Sequence, residues 1–214
     1  MGTSYNSNIV TDGLVLCLDA ANPRSYPGSG TSWLDLSGNN SHLSLVNSPT
    51  FSEDNAGCII FDGANDNAYT SSWSWSSSFS VVFAMYPLSG ISTFARIFST
   101  GPTDNFEIAI NTSRGISFYA SYWRSNIFTL DANTWSHLAF IKQSSNMTIY
   151  KNSSQIYTAS SVTSTAGSSL YIGRRYNDIE PSNLKMSNVQ IYNRALSADE
   201  VRRNYNATRG RYGY

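Results

Sequence analysis

Cysteine is nearly absent from this chain, with two thiols, Cys17 and Cys58, in 214 residues. A disulfide-stapled mini-fold is thereby excluded, and none is needed, because at this length folding removes on the order of 70% of the unfolded surface from water. Both cysteines lie in apolar runs, LVLCLDA and GCIIFDG, where a thiol acts as a small hydrophobe. Two buried free cysteines are expected, with a disulfide between neighbouring strands left open. Charge is also scarce, at 13% of residues, and the 14 basic and 14 acidic side chains cancel. No long-range field therefore draws the molecule to nucleic acid or to an anionic membrane. No apolar run approaches the roughly 20 residues of a spanning helix, and Met1 to Gly13 lacks both the basic and the apolar region of a signal peptide. Neither secretion nor membrane insertion is expected, and Asn6 stands where a myristoylation signal needs Ser or Thr.

What the chain has in quantity is aromatic residues, 14% of the total and richest in Tyr, set among Ser and Asn. Such a composition favours strands and polar turns, and the fold class expected is all-β. Short apolar runs recur: Leu14 to Leu18, Cys58 to Phe61, Phe79 to Tyr86, Phe106 to Ile110, Ile116 to Tyr122, Trp135 to Lys142, Met147 to Lys151, Leu170 to Gly173 and Val189 to Tyr192. Period-two alternation, as in Ile116, Phe118 and Ala120 against Ser117 and Tyr119, gives strands with one packed and one wet face. Turn signals such as Asp12-Gly13, Asp62-Gly63 and Arg114-Gly115 divide them, and no long polar linker intervenes. One domain over 1–214 follows, with an N-terminal arm (1–12) and a C-terminal tail (204–214). One short helix is expected in ALSADEVRRNYNA, where Ser197 and Glu200 make a capping box and Leu196 and Val201 a hydrophobic staple.

Five segments carry a family likeness: GLVLCLDAANPRSYPGSGTSWLDLSGNN, FDGANDNAY, TWSHLAFIKQSSNMTIYKN, LYIGRR and VQIYNRALSADEVRRNYNATRGRYG. Together they resemble the laminin G-like, concanavalin A-like lectin/glucanase superfamily, and the opening and closing segments resemble versions in tailed-bacteriophage virion structural proteins. The resemblance implies a jelly-roll β-sandwich. Asn152-Ser153 departs from the family's usual Asn-Gly hairpin, and Met186-Ser187 stands where a Gly often precedes the last long strand.

Retaining glucanases of this superfamily need two carboxylates about 5 Å apart. The four glutamates, Glu53, Glu107, Glu180 and Glu200, are far apart in sequence, and the only carboxylate two or four residues from Glu107 or Glu180 is Asp178, which lies with Glu180 beside Pro181 in an expected loop. His42 and His137 show no metalloprotease or nucleophile-elbow spacing. No enzyme is expected. The oxygen-rich loop with Asp62, Asn65 and Asp66 is the candidate calcium site, implied by relatives that hold calcium at the sandwich rim, against a reading as ordinary turn chemistry. Trp73, Trp75, Tyr122 and Trp123 are the candidates for stacking on sugars, against a reading as core aromatics.

The reading that unites these observations is a bacteriophage virion structural protein, a capsid decoration or tail-surface module, with adhesion to host-surface glycans open to it. Its alternatives are a glycan hydrolase and a free calcium-dependent lectin. It would be assembled in the host cytoplasm, sit on the virion surface and be part of an oligomeric assembly with other virion proteins. In the tail, Tyr205 is expected to pack on the sandwich while Arg209, Arg211 and Tyr212 reach a partner, as Tyr and Arg are common interface anchors.

Overall fold

The alternating runs become strands throughout, and a computed structural model describes residues 8–102, 106–163 and 167–213 of the chain. In chain order the strands begin with β1 (Leu14–Asp19), β2 (Ser32–Trp33), β3 (Leu43–Val46), β4 (Thr50–Ser52), β5 (Cys58–Asp62), β6 (Asn67–Thr70), β7 (Phe79–Pro87) and β8 (Ala95–Gly101). They continue as β9 (Glu107–Ile110), β10 (Gly115–Ala120), β11 (Tyr122–Thr129), β12 (Ser136–Gln143), β13 (Asn146–Lys151), β14 (Ser154–Ala159), β15 (Ser169–Ile172) and β16 (Asn183–Tyr192). Helix α1 (Ala198–Tyr212) follows. Two antiparallel sheets result: sheet A in the order β14-β13-β12-β7-β16-β5-β4 with β1 also on β16, and sheet B in the order β11-β10-β9-β8-β15-β6-β3-β2. The fold is the jelly-roll sandwich expected, with one helix near the C-terminal end.

Between the sheets lies the main core, in which Trp33, Phe61, Phe79, Phe83, Phe98, Phe106, Phe118 and Phe140 are all fully buried. Strand β16 organises sheet A. One of its edges pairs with β7 from Leu184 to Tyr192, while the other is shared, β5 taking Asn183 to Met186 and β1 taking Asn188 to Tyr192. The hand-over falls at Ser187, a bulge whose hydroxyl donates to Gly57 O (2.7 Å) and accepts from Tyr212 Oη (2.8 Å). Met186-Ser187 therefore lies inside the last long strand rather than before it. At Asn152-Ser153 both residues adopt left-handed φ, 49° and 65°, so the β13–β14 hairpin keeps its tight turn without the usual glycine.

Sheet A is buried on its outer face as well, which explains why β7 reads as the continuous run FSVVFAMYP. Helix α1 and the arm provide the cover: Val10, Leu196 and Val201 join Val82, Ala139, Ile141 and Tyr192, and Tyr212 joins Cys58, Ala84 and Trp135. Ser197 and Glu200 form the capping box, worth about 1 kcal/mol for such a cap, and Gly213 ends the helix in a left-handed conformation. The segment from Asn204 is accordingly the second half of α1 and not a tail. Its inner stripe, Val201, Asn204, Thr208 and Tyr212, has helical spacing that was masked in the sequence by low apolar content. Asn204 bridges the arm and the sheet, accepting from Val10 N (2.8 Å) and donating to Tyr192 Oη (2.9 Å). Cys17 and Cys58 are free and buried, and burial pushes their thiols up to about 12 and about 11.

His137 also lies under α1, its ring 5.7 Å from that of Tyr205, and burial pushes it from 6.5 down to about 4. The folded state thus disfavours its protonation, so stability should fall as pH drops from about 6.5 to about 4. Glu200 is held at about 2, first by its bonds to Arg194 (2.6 and 2.9 Å). Its contribution is present above about 4.5 and is lost as pH falls towards about 2. Melting temperature against pH should therefore decline in two stages. His137→Gln should flatten the upper stage and Glu200→Gln the lower. An unchanged upper stage in His137→Gln would refute the assignment.

Candidate functional site

Strand pairing aligns the outward side chains of sheet B into one row. Trp123 pairs with Tyr119, Tyr119 with Glu107, Glu107 with Ser99, Ser99 with Tyr171, Tyr171 with Tyr69, and Tyr69 with Ser44. With strands about 4.8 Å apart, the stretch from Trp123 to Tyr69 is roughly 24 Å long. Its two ends are aromatic and half-buried. At one, Trp123 packs against Phe94 (4.6 Å) and Tyr119 (5.4 Å); at the other, Tyr69 and Tyr171 stack at 5.5 Å.

A charged cluster separates the two aromatic ends. Arg96, 2% exposed, pairs through Nε with Glu107, 1% exposed, while its second terminal nitrogen lies 3.0 Å from Glu180 Oε2. Arg175 bonds Glu107 Oε1 from the other side at 3.1 Å. The Arg96 guanidinium is also clamped between aromatic faces, 4.6 Å from the Phe94 centroid and 4.7 Å from that of Trp123. Arg175 and Glu180 come from the loop between β15 and β16, which folds back over sheet B. Glu180 O accepts from Arg96 N (2.8 Å), and Ser182 Oγ donates to Arg96 O (2.6 Å). The loop begins at Gly173, φ 88°, where a Cβ would sit 2.6 Å from the Phe61 ring. Glu107 and Glu180, distant in sequence, are thus brought to one guanidinium by this loop, which no spacing along a strand could have revealed.

Of the four aromatics proposed for sugar stacking, only Trp123 joins the row. Trp75 packs towards the core against Phe79 (4.7 Å), Phe98 and Phe106, and Trp73 packs edge-on to Trp75 at 5.6 Å. The segment 71–78 forms no strand, and its two indoles pack against the main core, as the alternative reading of them as core aromatics had it. Tyr122 is 53% exposed and stacks under the Arg124 guanidinium at 3.9 Å, on the opposite side of β11 from Trp123. The residues missed were Arg96, Tyr119, Tyr171 and Tyr69. Outward parity in ISFYA and SLYI marked two of them, but their alignment required the register between strands.

Asp62, Asn65 and Asp66 share the turn between β5 and β6. Asp62 Oδ1 accepts from Ala64 N (2.8 Å) and Asn65 N (3.3 Å), bonds that hold its carboxyl below the usual range. Asp66 is buried, which raises its carboxyl, and its Oδ2 accepts from Asp62 N (3.2 Å). Calcium takes about six to eight oxygen ligands. Here turn amides engage one oxygen of each carboxylate, and no group of three His, Cys, Asp or Glu side chains among the described residues forms a metal set. In α1, Arg211 pairs bidentately with Asp19 (2.7 and 2.9 Å), and Tyr212 is buried on Trp135, Ser187 and Asn188. Those two interface candidates therefore anchor the helix to its own sandwich. Tyr205 packs beside His137, and Arg209 is exposed.

A family profile described as concanavalin A-like lectin/glucanases superfamily matches residues 61–202. The chain belongs to this superfamily. Among solved structures, this superfamily domain is similar to the binding domain of Paraclostridial mosquitocidal protein 1, with a TM-score of 0.73, 16% identity, and coverage of 92% of this chain and 52% of that one. It is similar to the botulinum neurotoxin serotype D binding domain at TM-score 0.72 and 13% identity, covering 92% of this chain and 52% of that one. It also resembles Trypanosoma rangeli sialidase, TM-score 0.71 and 16% identity, over 94% of this chain and 34% of that one. The chain thus spans about half the length of the toxin binding domains and a third of the sialidase, and at these identities the likeness is one of fold. No curated protein matches the chain in sequence.

The buried cluster yields a stability prediction. Glu107→Leu leaves Arg96 buried without its nearest carboxylate, and losing one member of a buried pair costs about 3–5 kcal/mol. Its melting temperature should fall well below that of the exposed control Asp199→Ala, in which only a surface pair is lost. Equal melting of the two variants would remove the cluster from the account.

Proposed function

We propose that this domain is a non-catalytic carbohydrate-binding module that takes glycan across the outer face of sheet B. We further propose that it is carried on the surface of a bacteriophage particle among other virion proteins. The observation that carries the binding reading is the row Trp123–Tyr119–Glu107–Ser99–Tyr171–Tyr69. Its rings offer apolar surface to the C–H faces of sugars, and its phenol hydroxyls offer donors and acceptors to sugar hydroxyls. The virion setting is supported by the likeness of the opening and closing segments to phage structural proteins, and Arg209 on the exposed side of α1 is available to a partner.

A hydrolase is the second reading, favoured by the meeting of Glu107 and Glu180. Against it, a glycosidase needs one carboxyl ready to give a proton and another ready to attack or activate water. Both glutamates here are occupied by guanidinium groups, Glu107 by Arg96 and Arg175 and Glu180 by Arg96. Calcium-dependent binding finds no support in the β5–β6 turn.

Electrophoresis of the purified domain through gels containing bacterial surface polysaccharides tests this directly. A binding polysaccharide should retard the domain, Trp123→Ala and Tyr171→Ala should each weaken the affinity read from that retardation because each removes one ring face of the row, and chelator should change nothing. No reducing ends should appear on long incubation. Release of reducing ends that disappears in Glu180→Gln would establish the hydrolase instead.

A further inference from the structure

We propose a second ligand site, on the opposite sheet, that takes a neutral mono- or disaccharide. Helix α1 covers the outer face of sheet A over β7, β12, β16 and Tyr150 of β13 but begins only at Ala198, so Asn146 and Thr148 of β13 and Thr158 of β14 are not roofed by it. A groove of about 570 Å³ remains between those strands and the start of the helix. That volume lies within the range of small-molecule sites, about 300–1,000 Å³. Its floor is apolar, with Ile141 and Leu196; its walls carry the amides of Gln143 and Asn146 and the hydroxyls of Thr148 and Thr158. None of the lining side chains is charged.

Tyr150 gives the groove a hydroxyl held in place by a buried ring. It is only 7% exposed, its ring belongs to the apolar cluster with Ala139, Ile141 and Leu196, and it lines the groove, so its hydroxyl is the end left facing that space. The hydroxyls of Tyr192 and Tyr212 are taken up by Val10 O (3.0 Å) and Ser187 Oγ (2.8 Å), whereas that of Tyr150 makes no hydrogen bond among the described residues and is left open to the groove for a ligand to use. A wall of amides and hydroxyls that both donate and accept, over an apolar floor and without charge, suits a ligand dense in hydroxyl groups with C–H faces. A charged sugar would be desolvated there without a counter-charge.

Isothermal calorimetry with the full chain tests this, using maltose, lactose and cellobiose at millimolar concentrations. At least one should bind. Tyr150→Phe should weaken it about three- to tenfold, the worth of one hydrogen bond, and Thr158→Trp, which fills the groove, should abolish it while both variants melt like the parent. Trp123→Ala reports the face of sheet B. If that variant abolishes binding and Thr158→Trp does not, the sugar sits on sheet B and the groove assignment is overturned. Absence of binding by all three sugars overturns it equally.

Discussion

Tyr212 reaches Ser187 and Asn188 on β16 while Arg211 grips Asp19 on β1, and through these bonds α1 is fixed across the outer face of sheet A. Most of the architecture depends on that attachment. Because the helix and the arm roof the sheet, β7 and β12 can be apolar on both sides without presenting a sticky surface to water. The same attachment makes the bulge at Ser187 functional in the fold. It supplies the hydroxyl that receives Tyr212 and marks the place where β16 exchanges β5 for β1 as its neighbour. Removing the Tyr212 side chain would leave Trp135 and Ala84 uncovered, a loss of the order of 3–5 kcal/mol for a large buried aromatic.

Sheet B is finished differently. No helix lies on it; a loop crosses it, held by charges rather than by apolar packing. Arg96 and Glu107 are almost wholly buried, so each requires the other, and the pair in turn captures Arg175 and Glu180 from the loop. This arrangement uses both carboxylates for structure and leaves aromatic surface on either side of the cluster. A loop-crossed face on sheet B and a helix-covered face on sheet A are therefore two consequences of one choice, which sheet the helix takes. The groove beside Tyr150 exists because the helix stops short of the edge of the sheet it covers.

Period-two alternation made the sandwich legible: the apolar runs around Leu16, Phe83, Phe118 and Phe140 all became strands, and Ser197 with Glu200 marked the helix start. Strand β8 escaped notice because Arg96, Ser99 and Thr100 dilute its apolar character; Arg96 and Ser99 serve the charged cluster on the outer face, and Thr100 bonds the Phe106 backbone. The first half of β16 escaped because Lys185 and Ser187 interrupt it. Whether Trp73 and Trp75 stack on sugars or pack on the core stayed open in the sequence, since local pattern cannot tell a solvent-facing ring from one folded onto a core. Trp123 was found from its type, yet its partners were not. Tyr119, Glu107, Tyr171 and Tyr69 are separated by up to about a hundred residues and meet only through register, which local pattern does not encode. The loop that brings Glu180 to Arg96 was equally invisible for that reason.

The central claim is that ligand lies on sheet B, and the indole N–H signals of the tryptophans report on it separately. Trp123 stands at one end of the row, Trp33 is wholly buried in the core, and Trp135 lies beneath α1, its indole donating to Asn55. Titration of the labelled domain with a polysaccharide that retards it in gels should shift the Trp123 indole and leave those of Trp33 and Trp135 in place. A shift at Trp135 with Trp123 unmoved would put the ligand on the helix side and contradict the account.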